Sequence, residues 1–175
     1  MIKEKLFLWA CDYSDNSGEG KLARLFVKKL NFRNQFYLKF NQKKIIKTKY
    51  VSAFIGIIFC WKKYLRSEKV CYLNYLPLWN FLIFILLPPN TLLGPITGGA
   101  HYSKSNKINF LIRAIIFPVC YKISEFFLYF RSKNIIFSTD LLKKYLSKKT
   151  INKSEFNFVL KDFLLKKKKK KKIDF

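Results

Sequence analysis

The sequence predicts an α/β domain in which a mostly parallel sheet lies between two layers of helices, and three observations support this. Half of the 175 residues are hydrophobic and 18% are aromatic, which is enough apolar surface for one compact core and argues against a disordered chain. Short apolar runs suited to buried strands alternate with longer segments of helical periodicity. A glycine-containing loop joins the first such strand to the first helix, as in a βαβ unit with parallel strands.

The first 40 residues contain this opening βαβ unit. Residues 5–10 are almost entirely apolar and predict a buried first strand, and residues 11–20 form a polar loop with two glycines. The spacing of apolar residues over 20–30 predicts a helix that packs one face on the sheet. Residues 35–40 predict the second strand.

The rest of the chain continues the alternation. Further helices are predicted at residues 50–66, 80–87, 108–130 and 138–146, and further strands at residues 69–75, 91–96, 134–137 and 156–160. Pro118 predicts a bend in the long helix, and residues 138–140 predict an N-terminal cap for the helix that follows them. We expect one domain over residues 1–165 and a solvated lysine-rich tail over residues 166–175.

The chain is strongly basic, with 35 Lys and Arg against 10 Asp and Glu, and a formal net charge of +25. Such a field attracts phosphate groups on anionic lipid, on a charged substrate or on nucleic acid. Nucleic acid is not expected as a partner, because no motif that reads it accompanies the charge. The excess is mostly lysine beside abundant Ile, Asn, Phe and Tyr, so an A/T-rich gene explains the charge as well as a membrane-binding patch does.

The cysteines Cys11, Cys60, Cys71 and Cys120 are scattered, and no CxxC pair occurs. The single histidine, His101, has no cysteine near it, so we expect neither a metal site nor a cofactor. Reduced, buried cysteines and a start unlike a secretory leader predict a cytoplasmic protein.

Three apolar runs test whether the chain crosses a membrane. Residues 51–61 and 76–87 are shorter than the roughly 20 residues that a spanning helix needs, and three charged residues interrupt residues 108–130. A spanning helix is therefore not expected. The basic, aromatic-rich segments 50–66 and 108–131 could instead dock on anionic lipid, which would place the protein peripherally on the inner face of the membrane.

Three loop segments follow predicted strands in a distinctive order: residues 9–23 (WACDYSDNSGEGKLA), 92–102 (LLGPITGGAHY) and 134–146 (NIIFSTDLLKKYL). Together they resemble the N-terminal domains of bacterial GT-B glycosyltransferases of the retaining, group 1, family-four-like type. The resemblance covers most of residues 5–165. It implies a three-layer Rossmann-like domain that faces a second such domain across a cleft, with the acceptor on the N-terminal half and the nucleotide-sugar on the C-terminal half.

The activity implied by the resemblance is metal-independent transfer of a sugar from a nucleotide-sugar to a cell-surface glycan or a lipid-linked acceptor. Nothing after Glu155 could form a second nucleotide fold, so we expect this chain to be an acceptor-binding half that is inactive alone. The sequence lacks Asp-x-Asp, GxSxG, Walker and GxGxxG motifs, which disfavours metal-dependent sugar transfer, serine hydrolysis, nucleotide hydrolysis and NAD binding. A small basic membrane-associated or integral membrane protein without catalysis, and a freestanding binding module, remain alternatives.

The first candidate site is the loop between the first strand and the first helix. The backbone amides at Gly18, Glu19 and Gly20 suit a phosphate or a sugar oxygen, and the resemblance implies that they face the acceptor and the donor's diphosphate. A plain turn that needs positive φ is the alternative. Asp12 and Asp15 could orient the acceptor or could simply cap the helix.

The second and third candidates lie after later strands. Thr97, Gly98 and Gly99 follow a strand's carboxyl end, where open α/β sheets bind ligands. His101 is the candidate catalytic residue, because it is the only side chain expected to titrate near neutral pH and could hydrogen-bond the donor sugar or the acceptor hydroxyl. A surface histidine after a tight turn is the alternative. Ser138 is a candidate substrate contact, with a helix cap as the alternative.

Overall fold

A computed structural model describes residues 4–32, 36–40, 49–98, 112–132 and 134–158 of the chain. The strands are β1 (Glu4–Trp9), β2 (Phe36–Phe40), β3 (Lys69–Tyr72), β4 (Leu92–Leu93), β5 (Ile135–Ile136) and β6 (Ser154–Glu155). The α-helices are α1 (Gly18–Phe32), α2 (Lys49–Tyr64), α3 (Phe81–Leu86), α4 (Phe117–Arg131) and α5 (Lys148–Asn152). A π-helical turn, Ile112–Ile116, precedes α4, and a 3-10 helix, Asp140–Tyr145, precedes α5.

The strands form a small parallel sheet, which confirms the predicted α/β class. Four strands pair in the order β2-β1-β3-β4, and β5 pairs with β6 in a separate two-stranded ladder, all of them parallel. A bridge between Ile96 and Phe137 connects the chain after β4 to the end of β5, so the two ladders adjoin. This order is compatible with a Rossmann-like fold.

Both faces of the sheet are covered, and β1 shows why. Phe7 and Trp9 point into a core cluster that includes residues of α2, α3 and α4. Leu6 and Leu8 point the opposite way, into a second cluster that includes the inner side of α1. Because a strand buried on both sides needs apolar residues at every position, residues 6–10 appear in the sequence as one continuous hydrophobic run.

The predicted strand over residues 91–96 is shorter in the structure, and close backbone contact explains this. A Cβ atom at Gly94 would lie 1.9 Å from the carbonyl oxygen of Leu73, so only glycine fits there. Pro95 follows and has no N–H to offer to a strand ladder. The chain therefore leaves β3 after Leu93 and continues at Ile96, which pairs with Phe137 instead.

Two predictions for the C-terminal part need correction. The helix predicted over 138–146 is a 3-10 helix, Asp140–Tyr145, and α5 follows it as a separate helix that was not predicted. The strand predicted at 156–160 instead pairs at Ser154–Glu155. The positive φ of 57° at Asn157 ends the regular extended conformation two residues later.

A π-helical turn that ends at Ile116 lies just before Pro118, where the sequence predicts a bend. Pro118 lies in the first turn of α4, where a missing N–H leaves no helical hydrogen bond unmade. Residues 108–111 of the predicted long helix lie outside the described part. Over the ranges that the structure does cover, no helix combines the length and the apolar character needed to span a bilayer.

Candidate functional site

The candidate site lies at the carboxyl ends of β1 and β3, which are neighbours in the sheet. The chain leaves β1 through α1 toward β2 on one side of β1, whereas β3 lies on the other side. Open α/β sheets bind ligands in the crevice that opens where the strand order reverses in this way. We call this switch point between β1 and β3 the crevice, with the loop over residues 11–17 and the first turn of α1 as one wall and residues 73–76 as the other.

Asp12 organises the loop after β1. One carboxylate oxygen of Asp12 accepts a hydrogen bond from the backbone N–H of Ser14 at 2.8 Å, and the other accepts from the hydroxyl of Ser17. The Ser17 hydroxyl oxygen in turn accepts from the backbone N–H of Gly20 at 2.8 Å, which caps the N-terminus of α1. The carboxylate of Asp12 is thus held in place by the same residues that start the helix.

The two glycines of this loop have different roles. A Cβ atom at Gly20 would lie 2.2 Å from the carbonyl oxygen of Ser14, so the loop can fold onto the helix only over a glycine. A Cβ atom at Gly18 would meet nothing within 4 Å. Neither glycine has positive φ, so the alternative of a turn that needs a left-handed residue does not apply, and close approach at Gly20 is the requirement for glycine.

Asn74 connects the two walls of the crevice from a fully buried position after β3. Its side-chain oxygen accepts a hydrogen bond from the backbone N–H of Cys11 at 2.9 Å. Its side-chain nitrogen donates to the backbone carbonyls of Asp12, at 2.5 Å, and of Glu19, at 3.2 Å. One buried amide therefore fixes the end of β1 and the first turn of α1 relative to β3.

Tyr75 brings a phenol group to the same place. Its φ of 56° is left-handed, which is uncommon for a bulky residue and marks a conformation that the surroundings enforce. Its backbone N–H donates to the Glu19 carboxylate at 3.3 Å. Burial raises the pKa of the Tyr75 hydroxyl, and the negative charges of Asp12 and Glu19 act in the same direction. Tyr75 therefore keeps its proton under the electrostatic influence of two carboxylates.

Cys11 lies beneath this group but is unsuited to act as a nucleophile. Its sulfur is 3.2 Å from the hydroxyl oxygen of Tyr72, a fully buried residue of β3. Burial raises the pKa of the Cys11 thiol, which outweighs the lowering by the hydrogen bond to Tyr72. A thiol attacks only as the thiolate, so a raised pKa disfavours covalent chemistry here.

A backbone hydrogen bond places the second candidate loop, which contains Thr97 and Gly98, next to residues 73–76 of the crevice. The backbone N–H of Thr97 donates to the carbonyl of Leu76 at 3.0 Å, and Leu76 directly follows Tyr75. Gly98 lies against the side chain of Leu142 in the 3-10 helix. The backbone N–H of Ser138 donates to the carbonyl of Ile96 at 2.9 Å.

The predicted site residues thus fall into two neighbouring groups. Asp12, Gly18, Glu19 and Gly20 come together at the crevice, and Thr97, Gly98 and Ser138 follow the next strands on the same edge of the sheet. Gly99 and His101 lie outside the described residues and stay predictions. In the third loop, the helix cap is Thr139, whose hydroxyl accepts a hydrogen bond from the backbone N–H of Leu141 at 3.3 Å.

Sequence reasoning missed Asn74, Tyr75 and Ser17. Asn74 offered one usable signal, since it is a polar residue directly after a buried apolar run, at the carboxyl end of a predicted central strand. Ser17 stands immediately before the first helical residue, the usual place of a capping hydroxyl. No comparable signal identified Tyr75, whose importance depends on its backbone conformation.

The arrangement favours a ligand with hydroxyl groups over one with phosphates. Asp12 and Glu19 supply acceptor oxygens, and Tyr75 supplies a hydroxyl that both donates and accepts. Among the residues that the structure covers, no cluster of three or more His, Cys, Asp or Glu side chains is placed to hold a metal ion. Comparisons with protein-family models, with curated proteins and with solved structures gave no significant match.

Proposed function

We propose that this chain is the acceptor-binding domain of a GT-B glycosyltransferase, with the three-layer Rossmann-like arrangement of an N-terminal GT-B half. The observation that carries the proposal is the group formed by Asp12, Glu19 and Tyr75 at the crevice between β1 and β3. It lies where α/β sheets bind ligands, and it rests on loops whose order resembles that family. The reaction is transfer of a sugar from a nucleotide-sugar, bound by a second domain, to a glycan or lipid-linked acceptor.

The charge of the group supports an acceptor hydroxyl as its ligand. Asp12 and Glu19 lie seven positions apart in the chain, although the whole chain has only 10 acidic residues. A phosphate would be repelled by these carboxylates, whereas a sugar hydroxyl donates to them in a charge-assisted hydrogen bond. The first-turn amide of Gly20 is already bound by Ser17, so this donor is not available to a phosphate. We therefore assign the acceptor, and not the donor's diphosphate, to this wall.

The remaining predicted residues have proposed roles beside this group. Thr97, Gly98 and Ser138 line the same edge and extend the acceptor site toward the second domain, with Gly99. His101 is the proposed catalytic contact to the donor sugar or the acceptor hydroxyl, since imidazole is the side chain that exchanges a proton near neutral pH.

Ligand-observed NMR on the full chain tests the proposal. The probes are methyl glycosides and short neutral oligosaccharides, with UDP-glucose and inorganic phosphate as the phosphate-bearing comparison. We expect saturation transfer to at least one glycoside, and a roughly tenfold or greater weakening in Asp12→Asn and Glu19→Gln, because each removes a charged acceptor. Asp15→Asn is the matched control, since Asp15 is exposed and pairs with Arg24 at 2.8 Å.

The outcomes separate the proposal from its alternatives. Binding of UDP-glucose or phosphate without any glycoside, or glycoside binding unchanged in both variants, would overturn it. A freestanding binding module for phosphate-bearing partners predicts the first of these results. The chain alone is expected to transfer no sugar from UDP-glucose to a glycoside, because the donor belongs to the other domain.

A further inference from the structure

Helix α2 exposes apolar side chains along one side. Val51, Phe54, Ile55, Ile58 and Trp61 are all exposed, with Phe54 at 59% and Ile58 at 67%. Their spacing of three and four residues places them on one stripe of the helix. The opposite stripe of α2, with Ile57, Phe59 and Cys60, is buried against the sheet. Helix α2 is therefore apolar both toward the core and toward the outside.

Helices α3 and α4 continue this exposed apolar surface. On α3 the exposed residues are Leu82, Ile85 and Leu86. On α4 and the π-helical turn before it they are Ile115, Ile116, Val119, Phe126 and Phe130. We call the exposed apolar residues of α2, α3 and α4, with Leu65 just after α2, the apolar face.

Two side-chain contacts hold the three helices together as one surface. The indole N–H of Trp61 on α2 donates to the carbonyl of Leu86 on α3 at 2.7 Å. The guanidinium of Arg131 on α4 donates to the carbonyls of Phe84, Leu87 and Pro88 at the end of α3. These contacts place α3 beside both α2 and α4.

The other side of the sheet lacks such a surface. Helix α1 exposes Lys21, Arg24 and Lys28, and over residues 18–30, the part whose side chains the structure describes, none of its large apolar residues is exposed. Among the residues that the structure describes, Leu141 is the one exposed large apolar residue outside the apolar face. Scattered exposed apolar residues are normal, but a concentration on one side marks an interaction surface.

The helices of the apolar face carry few acidic residues. Between Glu19 and Glu125 the sequence contains a single acidic residue, Glu68, which pairs with Lys63 at 2.8 Å. Glu125 is buried and accepts a hydrogen bond from Lys122. No exposed carboxylate lies on α2, α3 or α4.

Exposed basic residues border the apolar face at two places. Lys62 and Arg66 lie at the end of α2. Lys143, Lys144, Lys148 and Lys149 are exposed on the 3-10 helix and α5, which contact α4 through Tyr121 and Tyr145 and through Glu125 and Ser147. An apolar stripe accompanied by an excess of exposed basic residues, with Asp140 as an exposed carboxylate of the same 3-10 helix, is the pattern that suits anionic lipid.

We propose that the apolar face binds the surface of an anionic bilayer, with α2, α3 and α4 in the plane of the membrane and their exposed side chains among the acyl chains near the headgroups. A second copy of this chain is a poorer occupant, because two bodies of net charge +25 repel each other. The two contributions, apolar insertion and lysine attraction, are the two signals that stable peripheral binding requires. The crevice at β1 and β3 is not involved, so failure here leaves the acceptor site intact.

Vesicle co-sedimentation of the full chain tests the apolar contribution at constant charge. The vesicles contain phosphatidylcholine alone or with 30% phosphatidylglycerol, in about 0.15 M salt. We expect Phe54→Ser with Ile58→Ser to weaken binding to anionic vesicles roughly tenfold or more, because two large apolar side chains no longer insert. Leu141→Ser, with a wild-type exposure of 57%, is the matched control and should bind as wild type does. Equal effects of both changes, or no effect of the double variant, would overturn the proposal.

Charge reversal on the two sides of the molecule tests the orientation. Lys62→Glu with Arg66→Glu should weaken binding about thirtyfold or more, because each of the two basic residues lost at the surface contributes about 1 kcal/mol. Lys21→Glu with Lys28→Glu changes net charge equally on the opposite side and should have a clearly smaller effect. Equal losses would mean that net charge alone drives binding, and the proposed orientation would be wrong.

Insertion and self-association have direct readouts. Acyl-chain-brominated lipids should quench the fluorescence of Trp61, and Trp61→Phe should abolish most of this quenching, because Trp9 is buried and Trp79 is partly buried and stacked on Phe117. Light scattering coupled to size exclusion should show a monomer. A dimer that Phe54→Ser with Ile58→Ser dissociates would assign the apolar face to a second copy and overturn the membrane proposal.

Discussion

The side-chain amide of Asn74 donates a hydrogen bond of 2.5 Å to the backbone carbonyl of Asp12, which lies 62 residues earlier in the chain. The same side chain also binds Cys11 and Glu19. One fully buried amide therefore holds the backbone of Asp12 and Glu19, the two carboxylate residues of the candidate site, in position. Its loss should affect both stability and ligand binding.

Asn74→Ala should lower the free energy of unfolding by about 2–4 kcal/mol, because it removes the hydrogen bonds of a fully buried amide to the backbone of Cys11, Asp12 and Glu19. Urea denaturation followed by circular dichroism measures this. Asn16→Ala, at an exposed position of the same loop, is the control and should change stability by no more than about 0.5 kcal/mol. Similar losses in both variants would show that Asn74 does not connect the two strands.

Gly20→Ala should destabilise the fold by about 1–3 kcal/mol, because the added methyl group would lie 2.2 Å from the carbonyl oxygen of Ser14. Gly18→Ala adds the same atom two residues earlier into open space and should be neutral or slightly stabilising. Thermal melts of the two variants give the comparison. If Gly18→Ala proves the more damaging change, the loop does not pack as described.

The sequence predicted β1 and α1 well because their signals are local. An uninterrupted apolar run and a helical repeat over about ten residues report burial directly, without knowledge of the rest of the chain. Asn74 and Tyr75 were missed because their roles come from contacts with residues more than 50 positions away. A single sequence carries no record of such pairings.

The sequence predicted which segments contact lipid but not which of their side chains are exposed, and α2 shows the reason. Ile57 is buried and Ile58 is exposed, yet the two residues have the same side chain. A helix that is apolar all round gives no periodic contrast, so its packed side cannot be deduced from hydrophobicity. The sequence also gave no sign that α3 belongs to this surface. The split of residues 138–152 into two short helices escaped prediction because short helices depend on tertiary contacts.

Arg131→Lys should destabilise the fold by about 1–3 kcal/mol. The guanidinium donates to three carbonyls at the end of α3, and a single ammonium group cannot reproduce this fork of donors. Burial lowers the pKa of Arg131. A charge at this position is therefore partly desolvated and destabilises the fold unless it is well hydrogen-bonded. Arg66→Lys, at an exposed site, is the control for denaturation measurements. An equal response of the two variants would contradict the capping role.

Cys60 should resist alkylation in the native state. Burial raises the pKa of its thiol to about 12, so at pH 8 its thiolate fraction is about a thousandfold below that of a free cysteine. Iodoacetamide labelling read by peptide mass spectrometry should therefore modify Cys60 rapidly in urea and very slowly in buffer. Rapid native labelling would mean that α2 opens from the sheet on the timescale of the experiment.

The buried carboxylate of Glu125 should make stability depend on pH. It accepts hydrogen bonds from the backbone N–H of Ser147 at 2.6 Å and from the ammonium of Lys122 at 3.1 Å. Burial acts to raise the pKa of Glu125, but the hydrogen bonds from Ser147, Thr150 and Lys122 outweigh it, and the net pKa is lowered.

A lowered folded-state pKa means that the unfolded chain binds the proton more readily, so stability falls on acidification. The stabilisation from Glu125 should be fully present above the unfolded pKa, about 4.3, and should be lost as the pH falls through the folded pKa. Glu125→Gln should therefore cost about 1 kcal/mol at pH 7 and progressively less in more acidic buffer. Thermal melts from pH 7 down to pH 3, with Glu155→Gln at an exposed position as the control, measure this. A Tm difference between wild type and Glu125→Gln that stays constant with pH would show that the ionised carboxylate does not stabilise the fold.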